Sequence, residues 1–285
     1  MIKIIFIVLL KNRKASTFWS RRLLLAFGLA ICTGLIIIFT NIQFSSADLG
    51  NEPGLPPFKA HPLPPTLAQW QDVTSSGDYF SEVKPTNFGY LVWSEFPVKV
   101  YVERSPDPTD TSPSGRRFQQ WVDAVLPAVQ EWGVYLPLLV VEQRENADII
   151  ILRSRPPLRP SFNRDTGTLQ LPRARTAETL YNFYVRKVAD APDILLHRCT
   201  ILVSPDPASA SIKSAARHEL GHALGIWGHS PIEKDVMYFS QVRNPPRISS
   251  RDINTLKRVY QRPTRLGWSL PKITEQPKRQ EVTNY

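Results

Sequence analysis

The sequence predicts an α+β fold, and three patterns predict it. Val98, Val100 and Val102 alternate on one face within 96–103, which gives a first strand. Phe118, Trp121, Val122, Val125, Val129 and Trp132 recur at helix spacing and give a long helix. Ile212, Ala216, Leu220, Ala223 and Leu224 give a second helix across 209–224.

The long helix has a readable start and stop. Ser112 is placed to cap it, Pro113 suits the first helical position, and Gly133 suits its end. Pro127 is expected to kink it, because proline removes a backbone donor. Two apolar strands follow, at 136–141 and 147–152. The second is apolar on both faces apart from Asp148, as a buried strand should be. Residues 153–177 are expected to form a long, basic, proline-containing loop. Two further strands are expected at 178–188 and 195–204. His197 shares a face with Leu195, Cys199 and Ile201, so it is expected to pack rather than bind metal. Cys199 on that face reads as core, not nucleophile. Ser249 and Asp252 have the spacing of a capping box, opening a last helix with Ile253, Leu256, Val259 and Tyr260 on its apolar stripe.

The chain of 285 residues is long enough for one substantial domain with appendages. Cys32 and Cys199 are its only cysteines, and Cys32 lies in a hydrophobic N-terminal stretch, so no intrachain disulfide is expected. The net charge of +10 is uneven. Lys3, Lys11, Arg13, Lys14, Arg21 and Arg22 all precede the first acid. Residues 23–40 follow, uncharged and almost wholly apolar, and as a helix they would span about 27 Å. Positive charge ahead of an apolar span is a topology pattern, so a nucleic-acid partner is not needed to explain the basic composition. Residues 1–22 are therefore read as a basic cytoplasmic N-terminus and 23–40 as a single-pass signal anchor. The other reading is a signal h-region with cleavage near Ala47, giving a secreted protein. Both place the rest of the chain outside the cytoplasm. Residues 41–78 read as a Pro-rich tether in which His61 is an exposed bystander. Residues 79–265 read as the main folded domain and 266–285 as a polar tail.

The chemistry is concentrated in 218–230, which holds three of the five histidines. His218 and His222 leave one face of a helix, so two imidazoles can share one metal ion. Glu219 lies about 100° round the helix, where a carboxylate can serve as acid and base. A third ligand must come from another direction. Gly225 is a natural helix stop, after which His229 can return toward the metal; Glu233 and Asp235 are the other candidates in range.

This stretch resembles the metzincin clan of zinc peptidases, and within it the matrixin-like pattern. The likeness rests on His218, Glu219, His222, Gly225, His229 and Ser230, with Asp235, Val236, Met237 and Tyr238 resembling a Met-turn. The family pattern has two residues between the glycine and the third histidine; this chain has Ile226, Trp227 and Gly228, and Gly228 is expected to absorb the extra one through unusual backbone angles. The resemblance implies a mixed twisted sheet with a long N-terminal helix, an active-site helix and a C-terminal helix. It implies Zn2+ held by His218, His222 and His229, Glu219 as the catalytic base, and Met237 as a floor beneath the ligands. It also implies a monomer acting on a peptide or protein substrate. No tyrosine ligand is expected, because Phe239 stands two places after Met237. No cysteine lies between Cys32 and the catalytic domain, so a cysteine latch is not expected. The alternative is a non-catalytic extracytoplasmic binding module with a structural zinc, which would need a fourth ligand such as Glu233, Asp235 or His61.

Overall fold

The computed structural model describes residues 54–271, apart from 165 and 171–173. Its fold is α+β, with a mixed sheet and four helices. In chain order the elements are α1 (Pro65–Gln69), β1 (Val98–Val102), α2 (Pro113–Gly133), β2 (Leu138–Val141), β3 (Ile149–Leu152), β4 (Ser161–Asn163), β5 (Thr168–Gln170), β6 (Ala177–Arg186), β7 (Ile194–Val203), α3 (Ser209–Ala223) and α4 (Ser250–Tyr260).

The main sheet has strand order β2-β1-β3-β7-β6. Its first four strands are parallel. Val100 faces Val140 on one side and Ile149 on the other, and Ile151 faces Ile201. β6 runs antiparallel to β7, with Tyr181 opposite Cys199 and Phe183 opposite His197. Among the described residues it is an edge strand, with a strand partner on one side only.

The valines of β1 are fully buried, as are Ile149 and Ile151 of β3. On β7 the alternation is strict: His197, Cys199, Ile201 and Val203 all point inward. Helices α2 and α3 cover the sheet and pack on each other. Trp132 Nε1 of α2 donates to the Arg217 carbonyl of α3 at 2.8 Å, and Arg217 forms an ion pair with Glu131. The cap of α2 is as expected, with Ser112 Oγ accepting from Gly115 N–H. The helix includes Pro127, which donates no backbone bond, and runs on to Gly133.

Four expectations require correction. Residues 153–177 are not all loop: β4 and β5 form a small antiparallel hairpin with Phe162 opposite Leu169. Strands of three residues set among prolines are too short to show a period. The stretch 54–76 is not an extended tether. Leu67 is fully buried in the main core, Trp70 Nε1 donates to Asn254 Oδ1 at 2.9 Å, and Arg265 Nη1 donates to the Pro56 carbonyl at 2.6 Å. Nor is His61 an exposed bystander, since its ring stacks on Trp268 at 4.1 Å and its Nε2 meets the Leu266 carbonyl at 2.8 Å. The packed body also passes residue 265. Leu266 is buried, Gly267 N–H donates to the Leu195 carbonyl, and Leu270 N–H to that of Asp193.

The basic N-terminus, the 23–40 span, Cys32, Ala47 and the tail from 272 onward lie outside the described residues. Among the described residues, no helix is long and apolar enough to cross a membrane.

Candidate metal centre

Helix α3 divides its residues between core and cleft. Ile212, Ala216, Leu220 and Ala223 are buried, and His218 and His222 leave another side one turn apart. Their ring centroids are 4.9 Å apart. The chain then reverses and brings His229 to 5.3 Å from His218 and 4.9 Å from His222. One nitrogen from each imidazole lies within 4.8 Å of the other two. Among the described residues no other group of three His, Cys, Asp or Glu side chains gathers in this way.

Two glycines make the reversal possible, for different reasons. Gly225 has φ +127°, a backbone angle that side chains disfavour, and a Cβ there would lie 2.6 Å from the Leu91 carbonyl oxygen. Gly228 does not have the unusual angle expected of it, since its φ is not positive. What it lacks is room. A Cβ would lie 2.7 Å from the Glu82 carbonyl carbon, and closer still to its oxygen. Beside it, Lys84 N–H donates to the Trp227 carbonyl at 3.0 Å. The longer stretch between Gly225 and His229 therefore leans on residues 82–84.

The backbone also sets the imidazole orientations. His218 Nδ1 meets the Val236 carbonyl at 2.8 Å, and His222 Nδ1 meets that of Ile226 at 2.8 Å. A carbonyl oxygen can only accept, so Nδ1 is the donor in each ring and Nε2 is the nitrogen turned away from the backbone. His222 is the most enclosed of the three, and burial holds it well below the usual imidazole range; neighbouring His218 and His229 add to this. Burial and then His218 lower His229 as well. Both rings are thus neutral near pH 7, the form that can accept a metal ion.

Glu219 lies across the helix against the edge strand. Thr179 Oγ1 of β6 donates to Glu219 Oε2 at 2.6 Å. Burial raises the Glu219 carboxyl, while His218 and the Thr179 bond pull the other way. The next residue on the strand, Glu178, is buried and paired with Arg159 and Arg175.

Met237 packs against α3 at Gly221, which lies between His218 and His222 in the helix. It is fully buried against Gly221, where a Cβ would be 3.2 Å from the Met237 methyl and closer still to its sulfur. The turn carrying Met237 is held from two sides. Ser230 N–H donates to the Met237 carbonyl at 2.8 Å. Asp252 Oδ2 accepts from Val236 N–H at 3.0 Å, and Asp252 Oδ1 accepts from Tyr79 OH at 2.6 Å. Asp252 also completes the expected capping box of α4 with Ser249. The spacing of that box reveals the cap, but nothing in it reveals the second role.

The alternative ligands do not join the cluster. Asp235 is buried and bonded to Ser230 Oγ at 2.5 Å, Ser249 Oγ at 2.7 Å and Arg251 Nε at 3.0 Å. Glu233 is exposed, and Phe239 is 64% exposed beside Tyr238. His197 is packed, as expected. It lies against Trp93 at 3.9 Å, and burial lowers it to about 3. Cys199 is fully buried.

Compared with known families and with curated proteins, the chain matches none.

Proposed function

We propose that the chain is a zinc-dependent endopeptidase, metzincin-like in its site, acting outside the cytoplasm on a peptide or protein substrate. In this reading residues 23–40 anchor it in the membrane as a monomer. The observation that carries the proposal is the convergence of three imidazole nitrogens on one helix and the turn after it, with the Glu219 carboxylate on the same helix.

The donor set fits zinc. His218, His222 and His229 would hold the ion through three imidazole nitrogens, a donor set that suits zinc. A closed structural site would need a fourth protein ligand, yet Glu233 points to solvent, Asp235 is engaged in its own network, and His61 is stacked on Trp268. Zinc, when bound, supplies a Lewis acid that polarises a carbonyl and acidifies a water. Glu219 would serve as the general base toward an attacking water and would return the proton to the leaving amine. Thr179 fixes the carboxylate through Oε2, so Oε1 is left for the transfer. Met237 and Asp252 keep the floor and the His218 carbonyl partner in place.

The test is cleavage of a quenched fluorescent peptide library by the full chain in detergent. Activity should require zinc and vanish with a chelator. Glu219→Ala should keep the fold and one zinc per chain, and should lower turnover by roughly 10²–10⁴. Turnover near wild type in that variant removes Glu219 from the mechanism.

A further inference from the structure

An unbroken row of aromatic rings leaves the histidine cluster on the His222 side. Trp227 lies 5.5 Å from His222, ring centre to ring centre. Tyr181 meets Trp227 edge-on at 4.8 Å, Phe183 follows at 5.3 Å, and Phe88 closes the row at 4.7 Å. All four are half-buried. Leu91, Leu195 and Leu266 form a small buried cluster against which all four rings pack, and Tyr181 also packs against the main core.

Its position ties it to the chemistry. Thr179, Tyr181 and Phe183 alternate along β6 and so share one face of the edge strand. Thr179 holds Glu219. The same strand face thus carries the support of the carboxylate and, two and four residues on, the first rings of the row. Trp227 belongs to the three-residue stretch between Gly225 and His229, and its carbonyl is pinned by Lys84 N–H. None of the four side chains is charged. An acidic substrate residue laid on them would lose hydration without gaining a partner, whereas an apolar one would bury area against rings already held in place.

We infer that Trp227, Tyr181 and Phe183 form a subsite that selects an apolar or aromatic side chain of the peptide at one fixed position from the scissile bond. The inference rests on the peptidase reading. Phe88 props the far end of the row.

The experiment uses the zinc-loaded full chain in detergent and peptides varied at each position in turn. Wild type should prefer aromatic and large aliphatic residues over Asp and Gly at one position by roughly tenfold or more in kcat/KM. Phe183→Ser and Tyr181→Ser should each collapse that preference, chiefly by raising KM for aromatic peptides. Thermal melting and zinc content check that these variants are folded. A second readout needs no turnover. Glu219→Ala should bind an aromatic-bearing peptide more tightly than its alanine counterpart in calorimetry, and adding Phe183→Ser should remove the difference. An active enzyme with no such preference, or one whose preference survives both substitutions, overturns the subsite and leaves the peptidase reading standing. A zinc-loaded chain that neither cleaves nor binds any peptide overturns both.

Discussion

Gly228→Ala is the most direct probe of how the third histidine is placed. The new methyl would lie 2.7 Å from the Glu82 carbonyl carbon and 3.0 Å from Val83 Cα. Ordinary carbon contacts lie near 3.5–4.0 Å, so something must retreat by about an ångström. The opposing atoms are backbone, and Lys84 N–H is bonded to the Trp227 carbonyl on the other side of the contact. The retreat therefore falls on Gly228 and on His229, which follows it directly. Overpacking of this kind costs roughly 1–3 kcal/mol. Displacing a ligand's support typically lowers metal affinity by roughly 10–100-fold. The assay is zinc competition against a fluorescent chelator, run beside thermal melting. Gly133→Ala is the control, because a Cβ there meets nothing within 4 Å. The expected result is a large loss of zinc affinity in Gly228→Ala and none in Gly133→Ala. If Gly228→Ala binds zinc within about threefold of wild type, the close approach to Glu82 does not position His229 and the reasoning fails.

Asp252→Ala should cost about 2–4 kcal/mol, because it leaves the Val236 N–H and Tyr79 OH buried without their acceptor. The measurement is urea unfolding, and a loss below about 0.5 kcal/mol would contradict it. The same variant should weaken zinc binding about tenfold through the loosened Val236 carbonyl that orients His218, read by chelator competition. Burial alone would raise Glu131, but bonds and charge from Arg217 and Lys213 outweigh it and hold the carboxyl below its ordinary value of 4.5. A lowered carboxyl stabilises the fold above the unfolded value, and that contribution is lost as the pH falls from about 4.5 through the folded value. Glu131→Gln should therefore cost about 1 kcal/mol at neutral pH and flatten the acid limb of the stability profile. Parallel acid limbs in the two proteins would show that the pair contributes no pH dependence.

The site was more legible in the sequence than its supports were. His218 and His222 follow from helical spacing, and Gly225 from the need for a chain reversal. These are local demands, written in adjacent residues. Gly228 was the right residue for the wrong reason, because the carbonyl it must avoid belongs to Glu82, far away in the chain. The capping box was legible at Ser249 and Asp252, whereas the grip of Asp252 on the Met237 turn depends on how two distant segments meet. The long strands showed their alternation. The β4–β5 hairpin did not, because three residues per strand cannot display a period. The proline-rich stretch misled through composition. Its prolines suggest an extended chain, but Leu67 and Trp70 supply enough apolar surface to dock it.

The stretch from Gly225 to His229 and the stretch from Glu82 to Lys84 fit each other as a lock fits its keeper. Bare backbone at Gly228 answers the Glu82 carbonyl, and the Trp227 carbonyl answers the Lys84 amide. The spacing before His229 is therefore a property of two segments rather than of one motif. Lengthening the motif without reshaping its distant prop would misplace the histidine, and so would reshaping the prop alone. The two stretches have to be inherited together. Transplanting residues 218–230 into another scaffold would carry the ligands without the surface that sets where the third one lands.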